Sequence, residues 1–230
     1  MEETTMELNS HVRVKICCIA SVEEARLAVA QGAAAVGLVS RMPSGPGVIA
    51  EELIAAIAST VPPGVGSFLL TSETDVRAIV AQQRRTRVNT LQLVDALPRG
   101  AHQELRNALP GIALVQVVHV LGEESIAEAS AVAPLVDAIL LDSGNPTLAV
   151  KELGGTGRVH DWEISRQIRQ SVHCPVFLAG GLHPRNAGEA IRRIGPYGLD
   201  VCSGVRTNGR LDPAKLRDFF AEVAASCATP

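Results

Sequence analysis

The pattern that most restricts the fold is an alternation, repeated about eight times over 230 residues, of short β-branched runs with stretches whose apolar residues fall three or four apart. The runs are Val12–Cys18, Ala35–Val39, Ser67–Thr71, Thr90–Val94, Ala113–Val120, Ala138–Asp142, Pro175–Ala179 and Leu199–Cys202. A helix beginning at Ser21-Val22-Glu23-Glu24, with the spacing of a capping box, follows the first run. Further helices are expected over Ile49–Thr60, Glu73–Arg84, Ala101–Leu109, Glu123–Val132, Trp162–Ser171, Pro184–Ile194 and Pro213–Ala225. Strand–helix alternation predicts a parallel sheet. So many units favour closure into a single (β/α)8 TIM barrel, an α/β fold, over an open doubly wound sheet. The dinucleotide-binding version of the open sheet is further disfavoured, because no G-x-G-x-x-G follows the first strand. The barrel is expected over residues 12–230, after a flexible tail at 1–11.

Composition narrows the function classes. A 47% hydrophobic, 20% charged chain of formal net charge −3 carries neither a nucleic-acid nor a membrane-surface footprint. No apolar run is long enough for a transmembrane helix. The acidic N-terminus lacks the basic start of a secretory signal. Five cysteines, an odd number without a C-x-x-C pair, suit a reduced cytoplasmic protein.

In such a barrel the chemistry sits where the strands end. In Arg13-Val14-Lys15-Ile16-Cys17-Cys18, alternation places Val14, Ile16 and Cys18 against the helices, and Arg13, Lys15 and Cys17 toward the axis. A thiol at the mouth near an ammonium can act as a base. It can equally be a small buried hydrophobe. Asp142 closes an apolar strand and shares a face with Ala138 and Leu140. It is either an acid–base group or a capping aspartate. Glycine turns follow the seventh and eighth strands, at Gly180-Gly181 and Ser203-Gly204, where barrels commonly hold phosphate. A third glycine loop, Gly154-Gly155-Thr156-Gly157, precedes them within the long connection 143–160. The loop Ser40–Gly47 is either a lid or a stiff linker. Asp95 and His119, at neighbouring strand ends, offer a polar site that a divalent metal could use, although a lone strand histidine is more often simply hydrogen-bonded.

Lys15-Ile16-Cys17, Asp142, Gly154-Gly-Thr-Gly157 with Asp161-Trp162, Ala179-Gly-Gly-Leu-x-Pro-x-Asn186 and Asp200-x-x-Ser-Gly-Val205 together resemble the phosphoribosylanthranilate isomerase family of tryptophan biosynthesis. The resemblance runs from about Val12 to Phe219. It implies one (β/α)8 barrel, no cofactor or metal, and an Amadori rearrangement of an aminoaldose phosphate to an aminoketose phosphate. It makes Cys17 the general base and Asp142 the general acid. A small phosphorylated sugar is the implied ligand, held by Lys15, Gly155, Gly157, Gly180, Gly181, Ser203 and Gly204. The chain departs from the family at three places. Cys18 replaces the glycine of K-I-C-G. Gln92-Leu93-Val94-Asp95 replaces Q-L-H-G. Pro46 stands where the family has an arginine for the anthranilate carboxylate, with Arg41 the nearest substitute. These departures leave open an isomerase for another phosphorylated sugar, or a barrel that only binds such a ligand.

Overall fold

The computed structural model describes residues 11–144 and 161–227. Eight parallel strands, β1 (Arg13–Ile16), β2 (Ala35–Val39), β3 (Gly66–Thr71), β4 (Thr90–Leu93), β5 (Ala113–His119), β6 (Ala138–Asp142), β7 (Val176–Leu178) and β8 (Gly198–Val201), close into a barrel in chain order. The closing seam pairs β1 with β8, and Lys15 stands opposite Asp200 in that register. The strands are followed by α1 (Val22–Ala30), α2 (Glu51–Ala58), α3 (Val76–Thr86), α4 (Ala101–Ala108), α5 (Glu124–Val132), α6 (Trp162–Ser171), α7 (Ala187–Ile194) and α8 (Pro213–Cys227). The barrel is the expected (β/α)8 fold. The tail expected at 1–11 and the Gly154–Gly157 loop fall outside the described residues, His11 excepted.

Side-chain alternation sorts the strands into two cores. Val14, Ile16, Val36, Leu38, Leu91, Leu93, Ile139, Leu141, Leu199 and Val201 point outward and pack against Ile54, Ile57, Ile79, Leu105, Ile168, Leu216 and Phe219 of the helices. Ala35, Phe68, Leu70, Val115, Val117, Ala138, Leu140 and Phe177 fill the barrel interior. Burying each large apolar side chain contributes roughly 1.5–3 kcal/mol. Phe68 meets Phe177 edge-on at 6.1 Å, and Phe177 meets Tyr197 at 5.4 Å. These rings pack across the barrel floor.

Several boundaries shift for local reasons. Strand β1 stops at Ile16, short of the expected Cys18, because Cys18 takes a left-handed backbone with φ 61°. Residues Val48 and Ile49 continue an extended path beside Val39, so α2 begins two residues later than expected. Asp75 caps α3 by accepting from the Ala78 amide at 2.9 Å, which moves that helix start past Glu73. The capping box on α1 forms with one change. Ser21 accepts from the Glu24 amide at 3.2 Å, while Glu24 reaches back to the amide of Ala20 rather than Ser21.

Candidate active site

The C-terminal ends of the strands surround an open-mouthed pocket. Cys17, Asp142, Gly180, Gly181 and Ser203 all line it. The alternation argument thus holds for Cys17 and Asp142.

It fails for Cys18. That residue was expected beside Val14 and Ile16 under the helices, yet it lines the pocket next to Cys17. The left-handed backbone turns two successive side chains to the same side. A non-glycine residue there costs about 1–2 kcal/mol, so glycine is the ordinary occupant of such a position. The extra side chain is accommodated by the loop after β2. A Cβ on Gly47 would lie 2.5 Å from Cys18 Cβ, so only glycine lets the loop pass. The Cys18 thiol also points to the carbonyl of Pro46 at 3.7 Å. Cys18 and Pro46-Gly47 are therefore one packing unit.

Lys15 is completely buried in the barrel, and its Nζ lies 2.8 Å from Asp200 Oδ2. Burial opposes the ammonium charge. Asp200 first, and the Cys17 sulfur next, outweigh it, so Lys15 is held above the ordinary lysine value. The ring of Phe68 lies 5.4 Å beneath the same nitrogen. In β2, Gly37 faces this group. A Cβ there would stand 2.9 Å from both Lys15 Nζ and Cys17 Sγ, so the ammonium and the thiol border one small space that a side chain would fill. A glycine inside a strand signals such a close approach.

Asp142 is 7% exposed and takes a 2.8 Å hydrogen bond from its neighbour's amide, at Ser143. Burial is the main influence on its carboxyl and pushes the pKa above the ordinary aspartate value, and nearby Asp200 adds to the rise. The local charge balance gives the reason. One buried cation faces two buried carboxyls, and Lys15 is engaged by Asp200. Burial pushes the Asp200 carboxyl up as well, against the pull of Lys15, so both carboxyls are biased toward the protonated form, and Asp142 is the one outside the Lys15 ion pair.

The glycine turns are braced from behind. Gly180 and Gly181 both have positive φ, at 81° and 63°. Asn186 Nδ2 donates to the Gly181 carbonyl at 3.0 Å, and its Oδ1 accepts from the His183 amide at 2.8 Å. Asn186 therefore shapes the turn, and for that reason α7 starts after it and not at Pro184. Gly204 does not line the pocket. It packs directly on the backbone of Leu182 and His183, holding the two glycine turns together. Arg206 binds the far side of the Cys17–Cys18 turn. Its Nη2 donates to the Cys17 and Cys18 carbonyls at 3.1 and 2.6 Å, and Glu24 anchors Nη1 at 3.0 Å.

The remaining expected residues lie elsewhere. Gly155 and Gly157 are outside the described residues. Arg41 is exposed and not part of the pocket wall, where Met42, Ser44, Gly45 and Pro46 stand instead. The loop Ser40–Gly47 therefore borders the pocket in the manner of a lid. Asp95 accepts from the Ala96 amide at 3.0 Å and does not line the pocket. His119 is buried, with Nε2 3.1 Å from the Val94 carbonyl, and stands beside Asp142 in the β5–β6 register. Among the described residues, no three His, Cys, Asp or Glu are placed to hold a metal ion. Gln92 lines the pocket, and its buried Oε1 has no hydrogen-bond partner among the described residues. Alternation along β4 marks Gln92 as inward-facing, which is the signal that singles it out.

A closed parallel barrel with a pocket at the C-terminal strand ends is the architecture of the (β/α)8 barrel enzymes. The family model for N-(5'-phosphoribosyl)anthranilate isomerase matches residues 14–222. The chain belongs to that family. A Methanosarcina mazei protein named N-(5'-phosphoribosyl)anthranilate isomerase 2 is 38% identical over 210 residues, covering 90% of this chain and 92% of its own. The crystal structure of the phosphoribosyl anthranilate isomerase of Thermotoga maritima superposes with a TM-score of 0.80 at 28% identity, over 93% of this chain and 99% of that one. A further isomerase structure, in complex with reduced 1-(o-carboxyphenylamino)-1-deoxyribulose 5-phosphate, has a TM-score of 0.77 at 26% identity, with coverage of 93% and 99%. Among the described residues no helix is long and apolar enough to cross a membrane.

Proposed function

We propose that the pocket isomerises phosphoribosylanthranilate, with Asp142 as general acid and Cys17 as general base. The observation that carries this reading is the pairing, within one pocket, of a thiol beside a buried ammonium with a carboxyl biased toward its protonated form. An Amadori rearrangement needs both groups. Asp142 gives its proton to the ribose ring oxygen, and the ring opens to a Schiff base with the aryl amine. Cys17 removes the proton from the adjacent sugar carbon. The resulting enolamine tautomerises to the aminoketose. The phosphate rests on the backbone of the Gly180-Gly181 and Ser203-Gly204 turns, with Gly155 and Gly157 completing the cradle. Gln92 Oε1 is a ready acceptor for a substrate N–H or O–H. Pro46 stands where the resemblance puts an arginine for the anthranilate carboxylate, and Arg41 is the arginine of the same loop. Work on a tryptophan-pathway metabolite fits a cytoplasmic setting.

The experiment is turnover of phosphoribosylanthranilate by the wild type and by Asp142→Asn. The amide cannot donate the proton, so the variant is expected to be slower by about 10²–10⁴-fold, the usual contribution of a general acid. The wild-type rate is expected to fall as pH rises through a value above ~3.9, because the acid's pKa is raised and its protonated form is the working one. An Asp142→Asn enzyme with wild-type turnover would remove Asp142 from the mechanism.

A further inference from the structure

Two sulfurs at the pocket wall are not used by the rearrangement. Cys18 Sγ lies 2.7 Å from Cys202 Sγ, across the seam where β8 meets β1. A disulfide bond measures ~2.05 Å, so joining these atoms needs a movement of under an ångström. Both residues border the pocket, so a small solute reaches them by the substrate's route. We propose that Cys18 and Cys202 form an oxidative modification site that a hydroperoxide converts to a disulfide, tying the Cys17 turn to the Ser203-Gly204 turn at the pocket wall.

The two thiols have different characters. Cys202 is the lower-pKa partner, chiefly because of its hydrogen bond with Cys18 and with help from the Arg206 guanidinium, against the opposing effect of burial. Cys18 is pushed up, first by its contact with Cys17 and then by that with Cys202. This division suits an attacking and a resolving cysteine. Cys202 thiolate attacks the peroxide oxygen and breaks the O–O bond. Cys202 becomes a sulfenic acid, and the departing hydroxide takes up a proton as water. The Cys18 thiol then attacks the sulfenic sulfur, loses its proton and expels a second water. Two thiols are oxidised by two electrons, and one hydroperoxide is reduced. The arrangement belongs to this chain in particular, because Cys18 occupies a left-handed position that glycine fills more easily.

The bond would draw together residues adjacent to Cys17 and Ser203. Its effect on turnover rests on the isomerase reading, while its formation does not. The test treats the full chain, purified under reducing conditions, with hydrogen peroxide. Remaining thiols are alkylated, peptides are mapped, and turnover is measured before and after dithiothreitol. The expected results are a peptide pair joining Cys18 to Cys202, a loss of turnover of about tenfold or more, and recovery on reduction. Cys202→Ser and Cys18→Gly, each compared with its own untreated activity, should lose the reversible part of the inhibition. Cys17→Ala, which removes the competing thiol, should still form the cross-link. Alkylation of both Cys18 and Cys202 after peroxide, or a bond to Cys17 instead, would overturn the site. A Cys18–Cys202 bond without change in turnover would overturn its effect on the pocket.

Discussion

Cys17→Ala is expected to lower kcat for phosphoribosylanthranilate by about 10²–10⁴-fold with little change in KM. The substitution removes one sulfur from a small buried side chain and leaves the Cys17 carbonyl free to accept from Arg206, so the turn stays in place. The proposed phosphate cradle, carried by backbone in the turns after β7 and β8, is untouched. Ground-state binding is thereby retained while the proton acceptor is lost. A change confined to KM, with kcat unaltered, or no change at all, would mean that Cys17 is a packing residue. The nearness of Lys15 Nζ argues otherwise, since an apolar filler gains nothing from a fully buried ammonium beside it.

Lys15→Met should destabilise the fold by roughly 3–5 kcal/mol at neutral pH, because removing one member of a buried ion pair leaves the other uncompensated. The orphan is Asp200, which is buried and loses a partner 2.8 Å away. In the variant the folded-state pKa of Asp200 lies above its unfolded value. Stability relative to wild type is therefore best below ~3.9, and it declines as pH rises through the folded value. The double variant Lys15→Met/Asp200→Leu removes both charges and should recover most of the loss. Denaturant unfolding of the three proteins across pH measures this. A single variant as stable as wild type at neutral pH would show that the pair contributes no stability and exists for the site alone.

Much of the architecture was legible as periodicity. Strands β2 and β6 and helix α6 fall where the pattern put them, because each is a run of one period ended by a clear breaker or cap. The same alternation placed Cys17 and Asp142 inside the barrel. It misplaced Cys18, since alternation assumes an extended backbone and Cys18 leaves it. The Lys15–Asp200 pair was also out of reach. Those residues are 185 positions apart, and only barrel closure makes them neighbours. Gly204 packs against the Leu182 carbonyl, a contact between two loops that no local pattern encodes. Arg206 escaped notice, and Asn186 was named only within the Ala179–Asn186 motif, for a related reason. Each acts by holding backbone, and polar residues in loops do not announce which carbonyl they will meet.

The central claim is that this chain converts phosphoribosylanthranilate even though Pro46 stands where the family has an arginine. Complementation of a tryptophan auxotroph that lacks this isomerase is the most direct measurement. The wild-type gene is expected to restore growth without tryptophan, as proton transfer and phosphate binding are carried by groups other than that arginine. Failure to restore growth by a well-expressed, folded wild-type protein would contradict the assignment of the substrate.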